Sequence, residues 1–365
     1  MRYRVIGDGQ DNDFTTDFDR NETFIGRGGD DSYTIAWFEE RDRLFGNAGA
    51  DELRMDWFIW DEYGGLSALN RAVWFDGGRG QDRIEYRVIY EPKDTVIDLG
   101  TYGGTLTSVE HIDFFVTDHQ GRTTSDPVVA YDVTGTARSE DIIAAFGFRN
   151  TQDLTLRLDA GGGNDRIAVT GGYYDRLVVD GGGGHDTIVV NGLLRDGARN
   201  EMTLRGGAGN DRIYYNDPGG VVLGGAGRDT FLLSPISGSD AGDATIYRGG
   251  KGADTFVFYN GFFPKGVGAD IRDFRGNDRL EIAATIVGSM DAVALTPSTP
   301  GRYVEYDPAS GILMLSGQEA IRFTPGTIIR EDQVSIVDAG IYSDMFFSEN
   351  PAAPGRHGTS ARAGR

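Results

Sequence analysis

One nonapeptide returns nine times along this chain of 365 residues, and no other feature limits the fold so tightly. The template, "GGAGNDRIY", begins at Gly206 and recurs in the same frame at Gly77, Gly181, Gly224 and Gly249. Looser copies begin at Gly26, Gly46, Ala160 and Asp273. The sixth residue is aspartate every time: Asp31, Asp51, Asp82, Asp165, Asp186, Asp211, Asp229, Asp254 and Asp278. A glycine stands two residues before each, from Gly29 to Gly276, and an apolar residue two after, from Tyr33 to Leu280.

Each unit is a tight turn followed by a short strand. Glycines supply the left-handed and close-approach backbone that such a turn needs. Side chains alternate along a strand, so the residue two after the aspartate points inward. One unit cannot bury its apolar face alone, and copies must stack. Stacking lays the aspartates in a column, where neighbouring carboxylates repel unless a cation lies between them. Ca²⁺ suits that place, as a hard ion taking about 6–8 oxygens, and stacked turns offer aspartates and glycine-loop carbonyls. Two other uses of glycine turns fit less well. A metal-free turn does not require aspartate at every sixth place, yet none of the nine copies has Asn, Ser or Thr there. A phosphate cradle needs lysine or serine in P-loop order and a following helix, whereas these turns lead into strands.

The template resembles the glycine-rich nonapeptide of the RTX (repeats-in-toxin) family. The family signature G-G-x-G-x-D-x-U-x is met at residues 181–189, 206–214, 224–232 and 249–257. The resemblance implies an all-β fold: a right-handed parallel β-roll or β-solenoid with calcium-binding glycine-rich turns on one edge and a short β C-terminal cap. As metal ligands it implies the nine aspartates, the glycines Gly181, Gly182, Gly184, Gly206, Gly207, Gly209, Gly224, Gly225, Gly227, Gly249, Gly250 and Gly252, and Asp273 in a first-glycine place. "ADIRDFRGNDRLEI" is similar to the segment that closes the roll in serralysin-type proteins, ahead of a cap and an uncleaved type I secretion signal. The nearest acid-plus-apolar run to such a signal is "DQVSIV" at 332–337.

Spacing sets the organisation. The aspartates at 165, 186, 211, 229, 254 and 278 are separated by 21, 25, 18, 25 and 24 residues. Two nonapeptides make one coil, and only the step from Asp211 to Asp229 has that length. The stretches between motifs, such as "NGLLRDGARN" and "SPISGSDAGDA", are irregular. The expectation is a one-sided ladder with about seven Ca²⁺ sites on the motif edge and variable loops on the other. We divide the chain into N-terminal rows at 1–90, degenerate rows or an insert at 91–155, the main array at 156–290, a cap at 291–345 and a disordered Pro/Gly/Arg-rich tail at 346–365. In 91–155, "VTGTA…EDII" has an acid, Glu140 or Asp141, where the motif has its aspartate. In the cap, "RYVEYDPASGILMLSG" reads as a hairpin turning at "DPASG".

Other clusters are weaker. "DNDFTTDFDRNE" at 11–22 has acids near EF-hand offsets but no sixth-position glycine, which leaves a loose Ca²⁺ contact or a degenerate first repeat. "MDWFIWDEYGG" at 55–65 sets Trp57, Phe58, Trp60 and Tyr63 beside carboxylates; the alternatives are a loop folded over the roll and a sugar-binding shelf. "GFFPKG" at 261–266 poses the same choice.

The net charge of −21 argues against nucleic acid and anionic membranes as partners and suits cations. There is no cysteine, so disulfides, thiolate metal sites and a cysteine nucleophile are excluded. "MRYRVIGDGQDNDF" lacks the apolar run of a cleaved signal peptide, and no stretch has transmembrane length. None of the four histidines (His111, His119, His185, His357) belongs to H-E-x-x-H, and there is no G-x-S-x-G elbow. The expectation is therefore no enzyme, but an extracellular calcium-binding protein exported by type I machinery. The alternatives are a calcium-dependent adhesin or matrix protein for polysaccharide, and a carbohydrate-active β-solenoid enzyme.

Overall fold

Strand alternation is visible in single segments. In Glu201–Ala208, Met202 and Leu204 are buried while Glu201 and Arg205 are exposed. In Arg279–Ala283, Leu280 and Ile282 point inward and Arg279 outward. The computed structural model describes residues 3–15, 22–35, 42–57, 73–88, 95–98, 106–107, 111–116, 129–146, 154–171, 174–191, 201–215, 219–233, 244–259, 267–283, 304–315 and 317–338. Among them the architecture is all-β, and the helical element is the 3-10 turn Glu331–Gln333.

Along the chain, strands alternate between two sides. One side is a thirteen-stranded sheet running in sequence order from Asp13–Thr15 to Val334–Val337, with every pairing parallel. The other side comprises a five-stranded sheet, from Tyr3–Ile6 to Leu106–Thr107, and an eleven-stranded sheet that starts at Thr95–Asp98. Registers hold from strand to strand: Ile167, Ile188, Ile213, Phe231, Phe256 and Leu280 are successive partners in one row. Their side chains join Phe24 and Phe75 of the five-stranded sheet and Leu156, Leu204 and Ile271 of the eleven-stranded sheet in one core. Burying such a row contributes about 1.5–3 kcal/mol per large apolar side chain.

Strands from 91–155 belong to the same sheets. His111–Val116 pairs with Arg83–Val88 on one side and Asp141–Phe146 on the other, and Val129–Thr134 pairs with Leu154–Asp159. At the C-terminal end Gln318–Phe323 adds in parallel to Ala269–Ile271. Ile312–Leu315 and Val304–Asp307 then extend that sheet antiparallel, as the hairpin expected around "DPASG". Asp307 accepts the Ala309 N–H at 3.0 Å inside that turn. The thirteen-stranded sheet ends against Gln333, whose side-chain amide donates to the carbonyls of Arg275 (2.7 Å) and Asp278 (3.0 Å).

Val189, Tyr214, Leu232 and Val257 lie on the outward face of the thirteen-stranded sheet and are nonetheless buried, forming a second apolar cluster. Their sign in the sequence is a break in alternation: "IVV", "IYY", "FLL" and "FVF" are apolar at three consecutive places, as in strands covered on both faces.

Candidate functional site

The nine aspartates are the candidate site, and the sheet register places them. Each immediately precedes a strand of the thirteen-stranded sheet, so parallel pairing sets them in line. All nine are buried, none above 2% exposure, although isolated carboxylates are rarely found so deep. The column is held by its own backbone. Oδ1 of each aspartate accepts the N–H of the residue at the same place in the preceding copy: Asp31 N–H to Asp51 at 2.9 Å, Asp165 to Asp186 at 2.8 Å, Asp186 to Asp211 at 2.9 Å, Asp211 to Asp229 at 2.9 Å, and Asp229 to Asp254 at 3.0 Å.

The other oxygen is treated differently. Oδ2 of Asp31, Asp51, Asp165, Asp186, Asp211 and Asp229 is buried without a hydrogen-bond partner. In the copies of Asp186, Asp211 and Asp229 it lies over the Cα of the first glycine of the motif, where a Cβ on Gly181, Gly206 or Gly224 would collide with it; Gly249 stands in the same relation to Asp254. In these copies the carboxylate leaves no room for a Cβ at that place, whereas the copy of Asp165 carries Ala160 there. The second glycines, Gly182, Gly207, Gly225 and Gly250, have φ of +89°, +112°, +111° and +98°. The fourth-place glycines, Gly184, Gly209, Gly227 and Gly252, have φ between +135° and +142°, and each rests on the carbonyl of its counterpart one copy earlier. Carbonyl columns thus run alongside the carboxylate column.

Burial dominates the electrostatics. It raises the carboxyls of Asp51, Asp165 and Asp229 to about 7 and that of Asp186 to about 6; the neighbouring copy's N–H pulls each down and adjacent carboxylates push it up. Asp31, Asp211, Asp254 and Asp278 are raised for the same leading reason. Buried carboxylates with an unsatisfied oxygen and no lysine or arginine in the column are unfavourable unless protonated or joined by a cation.

The donors are oxygens only, carboxylate and main-chain, which is the set a hard cation takes. Among the described residues no group of three or more His, Asp or Glu side chains converges. A cation here would therefore draw on two successive aspartates and the flanking glycine carbonyls, and the residues fit Ca²⁺ on that basis. Asp273 is placed otherwise. Both its oxygens accept glycine amides, Gly249 N–H and Gly250 N–H at 2.9 Å each, so it acts as a carboxylate cap on the last glycine turn. Asp278 is also engaged twice, by Asp254 N–H (3.0 Å) and Arg275 N–H (2.6 Å).

Register extends the column beyond the nine. Asp141 pairs with Arg166, which aligns Glu140, not Asp141, with Asp165; Glu140 is buried, its N–H donates to Asp165 at 2.7 Å, and its carboxylate accepts the Thr136 hydroxyl. In the first row Asn12 takes the place, donating to Asp31 at 2.9 Å, and Asp11 accepts Asp30 N–H at 2.8 Å. Residues 11–15 are thus a degenerate first repeat.

A second ladder escapes a reading of the motif, because the residue before each aspartate varies. Ser139 Oγ accepts Asn164 N–H, Asn164 Oδ1 accepts His185 N–H, His185 Nδ1 accepts Asn210 N–H, and Asn210 Oδ1 accepts Arg228 N–H, at 2.7–2.8 Å. What these side chains share is an acceptor near the backbone, and no identity pattern shows that.

Phe58–Gly65, Gly261–Gly266, the stretches between motifs at 192–200 and 234–243, and the tail at 346–365 lie outside the described residues. No helix among the described residues is long and apolar enough to cross a membrane. No protein-family model matches this sequence, and a comparison with curated proteins finds no match.

Proposed function

We propose that this chain is a secreted calcium-binding protein of the RTX type: a right-handed parallel β-roll, exported by type I machinery, that folds when it meets extracellular Ca²⁺. The observation that carries this is the line of buried aspartates, in which Asp31, Asp51, Asp165, Asp186, Asp211 and Asp229 each hold a second oxygen without a hydrogen-bond partner. Successive aspartates and the glycine carbonyls beside them would hold the ions. Bound Ca²⁺ supplies the positive charge the column lacks. Without it, the −21 net charge and the unmatched carboxylates favour an expanded chain suited to export. Weak sites of about 10⁻⁴–10⁻³ M match extracellular calcium and stay empty in the cytosol. We assign no catalytic role.

Two measurements test this. Far-ultraviolet circular dichroism should show a strong strand signal in millimolar Ca²⁺ and a largely unfolded chain after chelation at neutral pH; a strand signal indifferent to chelation would sink the proposal. In calcium titration Asp211→Asn should lose or weaken about two of about seven sites, because Asp211 adjoins the rows of both Asp186 and Asp229. Asparagine keeps the oxygen that accepts Asp186 N–H, so the defect should lie in binding more than in folding. Unchanged stoichiometry and affinity would show that aspartates are not shared between neighbouring sites.

A further inference from the structure

The two ends of the stacked sheets are finished differently. At the C-terminal end the core is closed: Val304 and Tyr306 of the edge strand Val304–Asp307 are buried, as is Val334 of the edge strand Val334–Val337. Gln333 also fills the Asp278 carbonyl, which in an earlier copy takes the N–H after the next aspartate, as the Asp254 carbonyl takes Arg279 N–H at 2.8 Å. Among the described residues none does this at the N-terminal end. Tyr3–Ile6 and Asp13–Thr15 are edge strands, each paired on one side. Tyr3 lies on the inward side with Val5, and its register partner Glu22 is buried, yet Tyr3 is 51% exposed and Ile6 44%.

These two edges are complementary to themselves about one axis. Gly7 N–H bonds to the Ile25 carbonyl, and the Asn12 carbonyl accepts Ser32 N–H, both at 2.8 Å. Residues alternate along a strand in the side to which they turn N–H and C=O. Arg4 and Ile6 on one edge, and Asp13 and Thr15 on the other, therefore turn theirs to the free side. Each pair flanks one inward residue, Val5 or Phe14. Phe24, the register partner of Val5, has its ring 5.3 Å from that of Phe14, so the two centres lie across the core from one another.

We propose that a second copy of this chain seats on this end, related to the first by a two-fold axis through Val5 and Phe14. Both sheets then continue across the axis with antiparallel pairing. Arg4 of one copy exchanges hydrogen bonds with Ile6 of the other, and Asp13 with Thr15, giving about eight main-chain bonds. No like charges stand opposite each other in these pairs. Phe14 meets its counterpart and extends the aromatic packing it already makes with Tyr33 at 5.1 Å. The axis carries the second copy's turn of residues 7–12 to the opposite edge, so Asp8 and Asp11 do not face their counterparts. Head-to-tail stacking is disfavoured, because Gln333 already occupies the acceptor at the other end. Two short edges and one layer of core make less than a standard interface of about 800 Å² per partner, which corresponds to a Kd of about 1–100 µM. The contact involves no calcium site and goes beyond the calcium proposal.

Sedimentation equilibrium of the full chain in millimolar Ca²⁺, from about 1 to 200 µM, should show a reversible monomer–dimer transition. Hydrogen exchange of the unaltered chain should find the amides of Arg4, Ile6, Asp13 and Thr15 protected at the top of that range and open at the bottom. Arg4→Pro removes an N–H that points to the free edge and should weaken association at least about tenfold. Ile328→Ser, which removes the other exposed large apolar residue, should leave association unchanged. A monomer throughout, growth beyond the dimer, equal protection of the four amides at both concentrations, or a folded Arg4→Pro chain that dimerises normally overturns the proposal. The exchange measurement uses the unaltered chain and so does not depend on how a variant folds. Circular dichroism of the same samples with and without chelator reports calcium-dependent folding separately, so failure of one proposal is not mistaken for failure of the other.

Discussion

Gly209→Ala is expected to destabilise the folded chain by about 3–5 kcal/mol, while Gly183→Ala, in the neighbouring copy, should change stability by less than about 0.5 kcal/mol. The contrast follows from what a Cβ meets. At Gly209 the backbone has φ +138°, which side chains rarely adopt, and the added carbon falls on the carbonyl of Gly184. That neighbour is main chain and cannot rotate away, so the two copies must part. Parting them lengthens Asp186 N–H to Asp211 Oδ1 and the backbone bond from Gly184 N–H to the Ala208 carbonyl, both short at present (2.9 and 2.7 Å). At Gly183 nothing lies within 4 Å of the place a methyl group would take, and φ is not positive. Urea unfolding in saturating Ca²⁺, followed by circular dichroism, measures both. A Gly209→Ala midpoint equal to that of Gly183→Ala would mean that close approach of the glycine turns does not hold the copies together.

The carboxylate column was open to sequence reasoning because two regularities coincide at it. A fixed sixth residue and a fixed inward residue two places later put Asp211 and Ile213 on the same inward face, and neither can leave it without turning every other side chain of the strand. What resisted was whatever depends on register instead of identity. Glu140 and Asp141 are adjacent acids, and only the pairing of Asp141 with Arg166 shows which one enters the column. Asp273 looks like a ligand by position, yet it sits where a first glycine would be, and its carboxylate reaches back to the amides of Gly249 and Gly250. His185 looks like noise between glycine and aspartate, but Nδ1 is one acceptor in a row of unlike acceptors. The buried outward residue Tyr214 had a legible sign in its consecutive apolar neighbours, Ile213 and Tyr215.

The calcium-free chain should gain structure as the pH falls, opposite to the usual acid denaturation of an acidic protein. Asp51, Asp165 and Asp229 have carboxyls held near 7 in the fold, and Asp186 near 6, against about 4 when unfolded. Raised folded values mean that the fold binds protons more tightly than the unfolded chain. The stability this contributes is complete below about pH 4 and is lost as the pH rises through 6 to 7. Circular dichroism of calcium-stripped protein between pH 8 and 5.5 should therefore show strand signal returning on acidification, with a higher urea midpoint at the lower pH. Protons and Ca²⁺ then compete for the same oxygens. Half-saturation by calcium should shift to higher concentration as the pH falls below about 7, and calcium uptake at pH 6.5 should release protons into a weak buffer. If the calcium-free chain instead loses structure steadily from pH 8 downward, the aspartates are already ionised and satisfied in the metal-free fold, and the column needs no cation.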